Sequence, residues 1–133
     1  GRVDLVTATV ATDGSPIAAL HAAGADGFVV AATGAGNTSP ALLAAAEAAI
    51  VDRIPVVHAT RCPAGAASAG YAFPGGGAMW LRAGAIPAGH LTGPKARIAL
   101  ALGLGAGLDR DGLTALLADP EPIDEPARFW GRR

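Results

Sequence analysis

The chain has 133 residues, 51% hydrophobic and only 16% charged, which fits one domain and excludes a disordered polymer. Ten Lys and Arg against 11 Asp and Glu give a net charge of −1, which excludes a general basic surface for nucleic acid and a polybasic membrane anchor. A single cysteine, Cys62, excludes an internal disulfide framework and a cysteine-based zinc site.

The chain opens Gly1-Arg2 without an initiator Met, so it is read as a piece of a longer polypeptide or as a processed start. Val3 to Val10 reads as a strand, rich in β-branched residues and followed by an Asp13-Gly14 turn. Ser15-Pro16 predicts a helix start, with Ser15 as N-cap, running to about Ala23 before Gly24. Asp26 to Ala32 is a second strand, continuously apolar as expected for a strand covered on both faces. Thr33 to Thr38 is a loop. Ser39-Pro40 then repeats the helix start, and Leu42, Ala46, Ala49 and Ile50 follow at helical spacing.

Ile54 to Thr60 is the third strand, with Pro55 near its beginning. From 61 to about 90 the glycines and prolines predict mostly loop, with a short strand near Leu81 to Ala85. Pro94 opens a helix to about Leu104, and Asp109 caps another through Leu117 or Ala118. The apolar run from Ile98 to Leu108 is interrupted by glycines and is too short for a membrane span of about 20 residues. The tail from 119 to 133 is Pro-rich and acidic, ends in arginines, and is expected to fray. The β-α-β-α-β order predicts an α/β fold over residues 1–118. It is a three-layer, flavodoxin- or Rossmann-like parallel sheet of about four strands flanked by helices.

The loop Thr33-Gly34-Ala35-Gly36-Asn37 leaves the carboxyl end of a central strand and precedes a helix, the edge where open α/β sheets bind ligands. Gly34 and Gly36 allow close backbone approach, and Asn37 offers a donor and an acceptor. The competing reading is a tight turn with Asn37 left-handed. The third glycine of a dinucleotide fingerprint is missing, and no cofactor is implied. Arg61 reads as a clamp on this loop, His58 as a hydrogen-bonded residue on one sheet face, and Thr12-Asp13-Gly14 as turn chemistry. Cys62 reads as a small packing residue. No Asp or Glu lies between Asp52 and Asp109, which argues against a self-contained hydrolase.

The series Ser15-Pro16, Ala23-Gly24-Ala25-Asp26-Gly27, Gly34-Ala35-Gly36-Asn37, Arg61-Cys62-Pro63-Ala64-Gly65 and Gly89-His90-Leu91-Thr92-Gly93-Pro94-Lys95-Ala96-Arg97 resembles a known domain. It is similar to the carboxyl-terminal domain of bacterial L-asparaginases of the asparaginase–glutaminase family. The resemblance implies an amidohydrolase whose nucleophilic threonine lies on a larger amino-terminal domain not represented in this sequence. It implies a homo-oligomer in which this domain packs on its own and the neighbouring subunit's amino-terminal domain and completes the neighbour's site for hydrolysis of L-asparagine. It carries a substrate-binding role to Asn37, with Gly34 and Gly36 shaping the loop, and no catalytic residue. Lys95 and Arg97 take helix-start and helix-surface roles.

One departure stands out. The family's glutamate after the RxPxG segment has no counterpart in Ala66 to Gly77, where Tyr71 and Phe73 stand near its place. Asparagine versus glutamine preference is therefore open. The expectation is an inactive isolated chain, a small amino-acid amide as substrate, and no nucleic-acid or membrane partner. A cytoplasmic location is expected, with periplasm or secretion left open. The alternatives are a free-standing small-molecule binding or regulatory module and an ammonia-supplying amidotransferase subunit of the same family.

Overall fold

A computed structural model of the protein describes residues 1–118. The order is β1 (Val3–Thr7), α1 (Ser15–Ala22), β2 (Gly27–Ala32), α2 (Pro40–Val51), β3 (Val56–Thr60), α3 (Gly77–Ala83), β4 (Ile86–Pro87), α4 (Gly93–Gly105) and α5 (Arg110–Leu117). The four strands form one parallel sheet in the order β1-β2-β3-β4, with helices on both faces. The α/β three-layer architecture read from the sequence is the one observed. The fraying expected of the tail from 119 to 133 falls outside the described residues.

Strand alternation divides the core in two. Val6, Phe28, Val30 and Val56 face one way and pack with Ile17 of α1, Leu42, Leu43 and Ala46 of α2, and Trp80 of α3. Val3, Val29, Val57, Ala59 and Ile86 face the other way and pack with Ala96 and Leu100 of α4 and Leu113 and Leu117 of α5. Right-handed crossovers account for this partition. The sheet grows in one direction, so α1, α2 and α3 fall on a single face. The chain changes sides only after β4. β2 and β3 are buried at every residue, which explains the unbroken apolar sequence of β2, while β3 buries two polar residues, His58 and Thr60. Full burial of a side chain such as Phe28 or Leu100 contributes about 1.5–3 kcal/mol.

Close approaches fix the layers. A side chain at Gly93 would come within 3.0 Å of Leu5 and 3.2 Å of Ala31, so α4 starts directly against β1 and β2. Arg97 does more than cover a helix surface. Its Nε donates to the Val3 carbonyl at 2.7 Å and ties α4 to β1. Pro87 sits on β4, at the end of the sheet order, where the missing N–H is tolerated.

Three local expectations are corrected. The first strand ends at Thr7, because Thr9 turns back and its N–H bonds Thr12 Oγ1 at 2.8 Å. Ser15 is inside α1, and Gly14 is the N-cap. Asp13 accepts from the Ser15 N–H at 2.9 Å and the Ser15 hydroxyl at 2.6 Å, so the carboxylate supplies the turn's polar contacts. The segment expected as a strand from Leu81 to Ala85 instead closes α3, and β4 begins at Ile86. At the start of α2 the expectation holds: Ser39 Oγ accepts from the Leu42 N–H at 3.1 Å.

Candidate functional site

Because all strands are parallel, the segments that follow β1, β2 and β3 leave the sheet along one edge. The Thr33–Thr38 loop follows β2 there and folds back on itself. Thr33 N–H donates to the Asn37 carbonyl at 3.0 Å, Asn37 N–H returns to the Thr33 carbonyl at 2.8 Å, and Thr33 Oγ1 adds a bond to the Asn37 carbonyl at 2.8 Å. The turn needs two left-handed residues. They are Gly34 at φ 52° and Gly36 at φ 108°, not Asn37 as the tight-turn reading supposed.

The loop's carbonyls are gripped from below. Thr60 Oγ1, at the end of β3, donates to Gly34 O at 2.6 Å. Ser68 N–H donates to Ala35 O at 2.9 Å, and His58 Nε2 donates to Gly36 O at 3.0 Å. A side chain at Gly36 would meet His58 Cε1 at 2.6 Å, so the imidazole occupies the space that glycine leaves. After these bonds, the Asn37 carboxamide makes no hydrogen bond among the described residues. Asn37 is half-buried, and its Oδ1 is a buried acceptor without a donor.

His58 faces the α1–α3 side of β3, as its alternation suggested, and is hydrogen-bonded. Its ring stacks on Trp80 with centroids 4.9 Å apart and planes 2° from parallel. Burial pushes the imidazole pKa down to about 4, against the smaller opposing effect of the Gly36 carbonyl. Neutral His58 that donates through Nε2 leaves Nδ1 unprotonated. Trp80 Nε1 donates in turn to Thr38 Oγ1 at 3.0 Å, while Thr38 N–H bonds Gly75 O at 2.9 Å. Trp80 carried no signal in the sequence beyond its position after Gly75-Gly76-Gly77, since its partners are distant in the chain.

Arg61 does not clamp the loop through its side chain, which is exposed and makes no hydrogen bond among the described residues. Its backbone N–H bonds Ala32 O at 2.8 Å, and the neighbouring Thr60 performs the clamping. Cys62 is a half-buried free thiol whose N–H caps Thr60 Oγ1 at 3.1 Å. Tyr71 and Phe73, in the β3–α3 connection, are 50% and 48% exposed with ring centroids 5.8 Å apart. Val10, beyond β1 on the same edge, is 97% exposed. Among the described residues no three His, Cys, Asp or Glu are grouped to hold a metal, and no helix is long and apolar enough to cross a membrane.

Residues 2–117 match the family described as the glutaminase/asparaginase C-terminal domain. The chain belongs to this family. The match covers every strand and helix of this asparaginase-type C-terminal domain, including the Gly34–Asn37 loop and its supports. A relative, described as a probable L-asparaginase from Deinococcus radiodurans, is 47% identical over 87 residues. Those residues are 65% of this chain and 26% of that protein, so the domain spans about a quarter of its relative's length.

Proposed function

We propose that this domain serves an asparaginase-type amidohydrolase by offering the Asn37 carboxamide to an active site whose nucleophile lies elsewhere in the assembly. The observation that carries this reading is the uneven bonding of the loop. The carbonyls of Gly34, Ala35 and Gly36 are all bonded within the domain, whereas the side chain at the loop's end is not. A buried acceptor left alone costs about 1–3 kcal/mol, which a donor from a substrate or a facing domain would offset.

The chemistry divides accordingly. A threonine on the amino-terminal domain attacks the side-chain amide carbon of L-asparagine. Ammonia departs, and water cleaves the resulting ester to give aspartate. None of the side chains gripping the loop is available for that attack. Thr60 is committed to Gly34, and His58 Nε2 is committed to Gly36. The domain's share is orientation of the bound amide and exclusion of water at a shared pocket. Gly34 and Gly36 give the loop its shape, and Asn37 contacts the substrate. The exposed Val10, Tyr71 and Phe73 on the same edge support a facing amino-terminal domain, from its own or a neighbouring subunit of a homo-oligomer.

The test is Asn37→Ala in the full-length polypeptide. The expected result is a loss of roughly 10- to 100-fold in kcat/KM for L-asparagine, mainly through KM, with an unchanged Tm. Unaltered kinetics would remove Asn37 from the site. The 133-residue chain alone is expected to release no ammonia from asparagine. Ammonia release by the purified chain would overturn the division of labour.

A further inference from the structure

We infer that His58 and Trp80 act as a paired positioning device that sets the direction of the Asn37 carboxamide, and with it substrate affinity. The inference rests on the reading of Asn37 as the substrate-contacting residue.

The geometry concerns a single peptide unit. The carbonyl of Gly36 and the N–H of Asn37 belong to the same plane. His58 Nε2 holds the carbonyl end at 3.0 Å, and the Thr33 carbonyl holds the N–H end at 2.8 Å. That plane sets the N–Cα bond of Asn37, and the Asn37 carbonyl, held by the Thr33 N–H at 3.0 Å and Thr33 Oγ1 at 2.8 Å, sets the rotation about it, so the Cα–Cβ direction is fixed. Trp80 secures the residue on the other side of Asn37 through its 3.0 Å bond to Thr38 Oγ1. The two rings are locked to each other by their stack, and both are essentially inaccessible, at 1% and 0% exposure. Neither ring reaches solvent, so both act through the loop and neither touches substrate.

Core packing alone does not account for this pair. His58 lies between apolar neighbours of β3 and against Trp80, and a leucine would fill a similar volume without burying an imidazole. The ring's polar atom is used on the Gly36 carbonyl. The indole N–H is likewise used on the loop. Gly36 matches the device from the opposite side, because its missing Cβ is the space His58 Cε1 fills.

The experiment uses the full-length polypeptide with His58→Leu, His58→Gln and Trp80→Phe. His58→Leu keeps bulk and loses the donor, His58→Gln keeps a donor, and Trp80→Phe keeps an aromatic ring and loses the indole N–H. Steady-state kinetics with L-asparagine are expected to show KM raised roughly tenfold in His58→Leu with kcat within about twofold. Most of that rise should vanish in His58→Gln, and Trp80→Phe should fall between. In parallel, hydrogen exchange at the Gly36 and Asn37 amides should quicken in His58→Leu and slow again in His58→Gln, with α4 amides unchanged.

Unchanged KM in an active His58→Leu enzyme overturns the inference, even if exchange quickens. Equal KM defects in the Leu and Gln variants also overturn it, since they would report bulk and not the hydrogen bond. If the wild-type polypeptide has no amidase activity, the functional reading fails and the substrate-affinity part of the inference fails with it. Exchange then still decides whether the pair holds the loop.

Discussion

The imidazole of His58 lies flat on the indole of Trp80, and each ring sends one N–H to the Thr33–Thr38 loop, to Gly36 O and to Thr38 Oγ1. Burial, and not the bond to Gly36, keeps this imidazole neutral. His58 titrates near 4 in the fold against about 6.5 in the unfolded chain. The unfolded chain therefore binds a proton first as pH falls. The stability this group contributes is complete above pH 6.5 and is lost as pH drops toward 4. The loss amounts to about 3 kcal/mol. Urea unfolding at pH 7 and at pH 4.5 should show most of it, and His58→Leu should flatten the difference.

The two loop glycines should respond differently to alanine. Gly36→Ala combines φ 108° with a methyl group 2.6 Å from His58 Cε1. A loss of about 2–4 kcal/mol is expected. Gly34→Ala meets only Asn37 Nδ2, at 3.9 Å, and bears the left-handed backbone cost alone, about 1–2 kcal/mol. Chemical denaturation of the two variants tests the order.

Asn37→Ala should separate stability from function. The carboxamide has no partner among the described residues, so its removal should change unfolding free energy by less than about 0.5 kcal/mol or raise it slightly. A loss above about 1.5 kcal/mol would mean that the side chain is a structural tether.

Lys95 and Arg97, two residues apart on α4, should not behave alike. Lys95 is exposed, while Arg97 holds the Val3 carbonyl. Arg97→Met should cost about 1 kcal/mol and Lys95→Met less than about 0.5 kcal/mol. Paired thermal melts measure both.

The edge that carries Val10, Tyr71 and Phe73 should drive self-association of the 133-residue chain when no facing domain is supplied. Replacing all three by Ser should shift sedimentation toward monomer without altering the circular dichroism spectrum. An unmodified chain that stays monomeric at high concentration would contradict this.

The architecture was legible wherever one local signal decided the element. Ser39-Pro40 announced α2, and the apolar run from Phe28 to Ala32 announced a doubly covered strand. α3 was hidden because it opens on the run of glycines Gly75-Gly76-Gly77, which as local signals mean loop. Their use is tertiary: Gly75 passes so close to Thr38, and Gly77 to Ser68, that no side chain fits. The geometry of the candidate loop was legible in part for the same reason. Gly34, Gly36 and Asn37 are contiguous, and His58 lies on a strand whose alternation fixes its side. Thr60 and Arg61 were harder to separate, because β3 ends between them and only the sheet's register, which sets Thr60 beside Ala32, shows that Thr60 is the one that reaches the loop. Trp80 reaches Thr38 across 42 residues, a distance no spacing rule spans.

The unreversed strand order has one more consequence. Ligand crevices in open α/β sheets arise where successive crossovers part to opposite faces. Here β1 through β4 march one way, so their connecting segments stand shoulder to shoulder like a palisade. A palisade can wall one side of a chamber but cannot enclose it, so under the proposed reading a molecule held against Asn37 would find its opposite wall on another body.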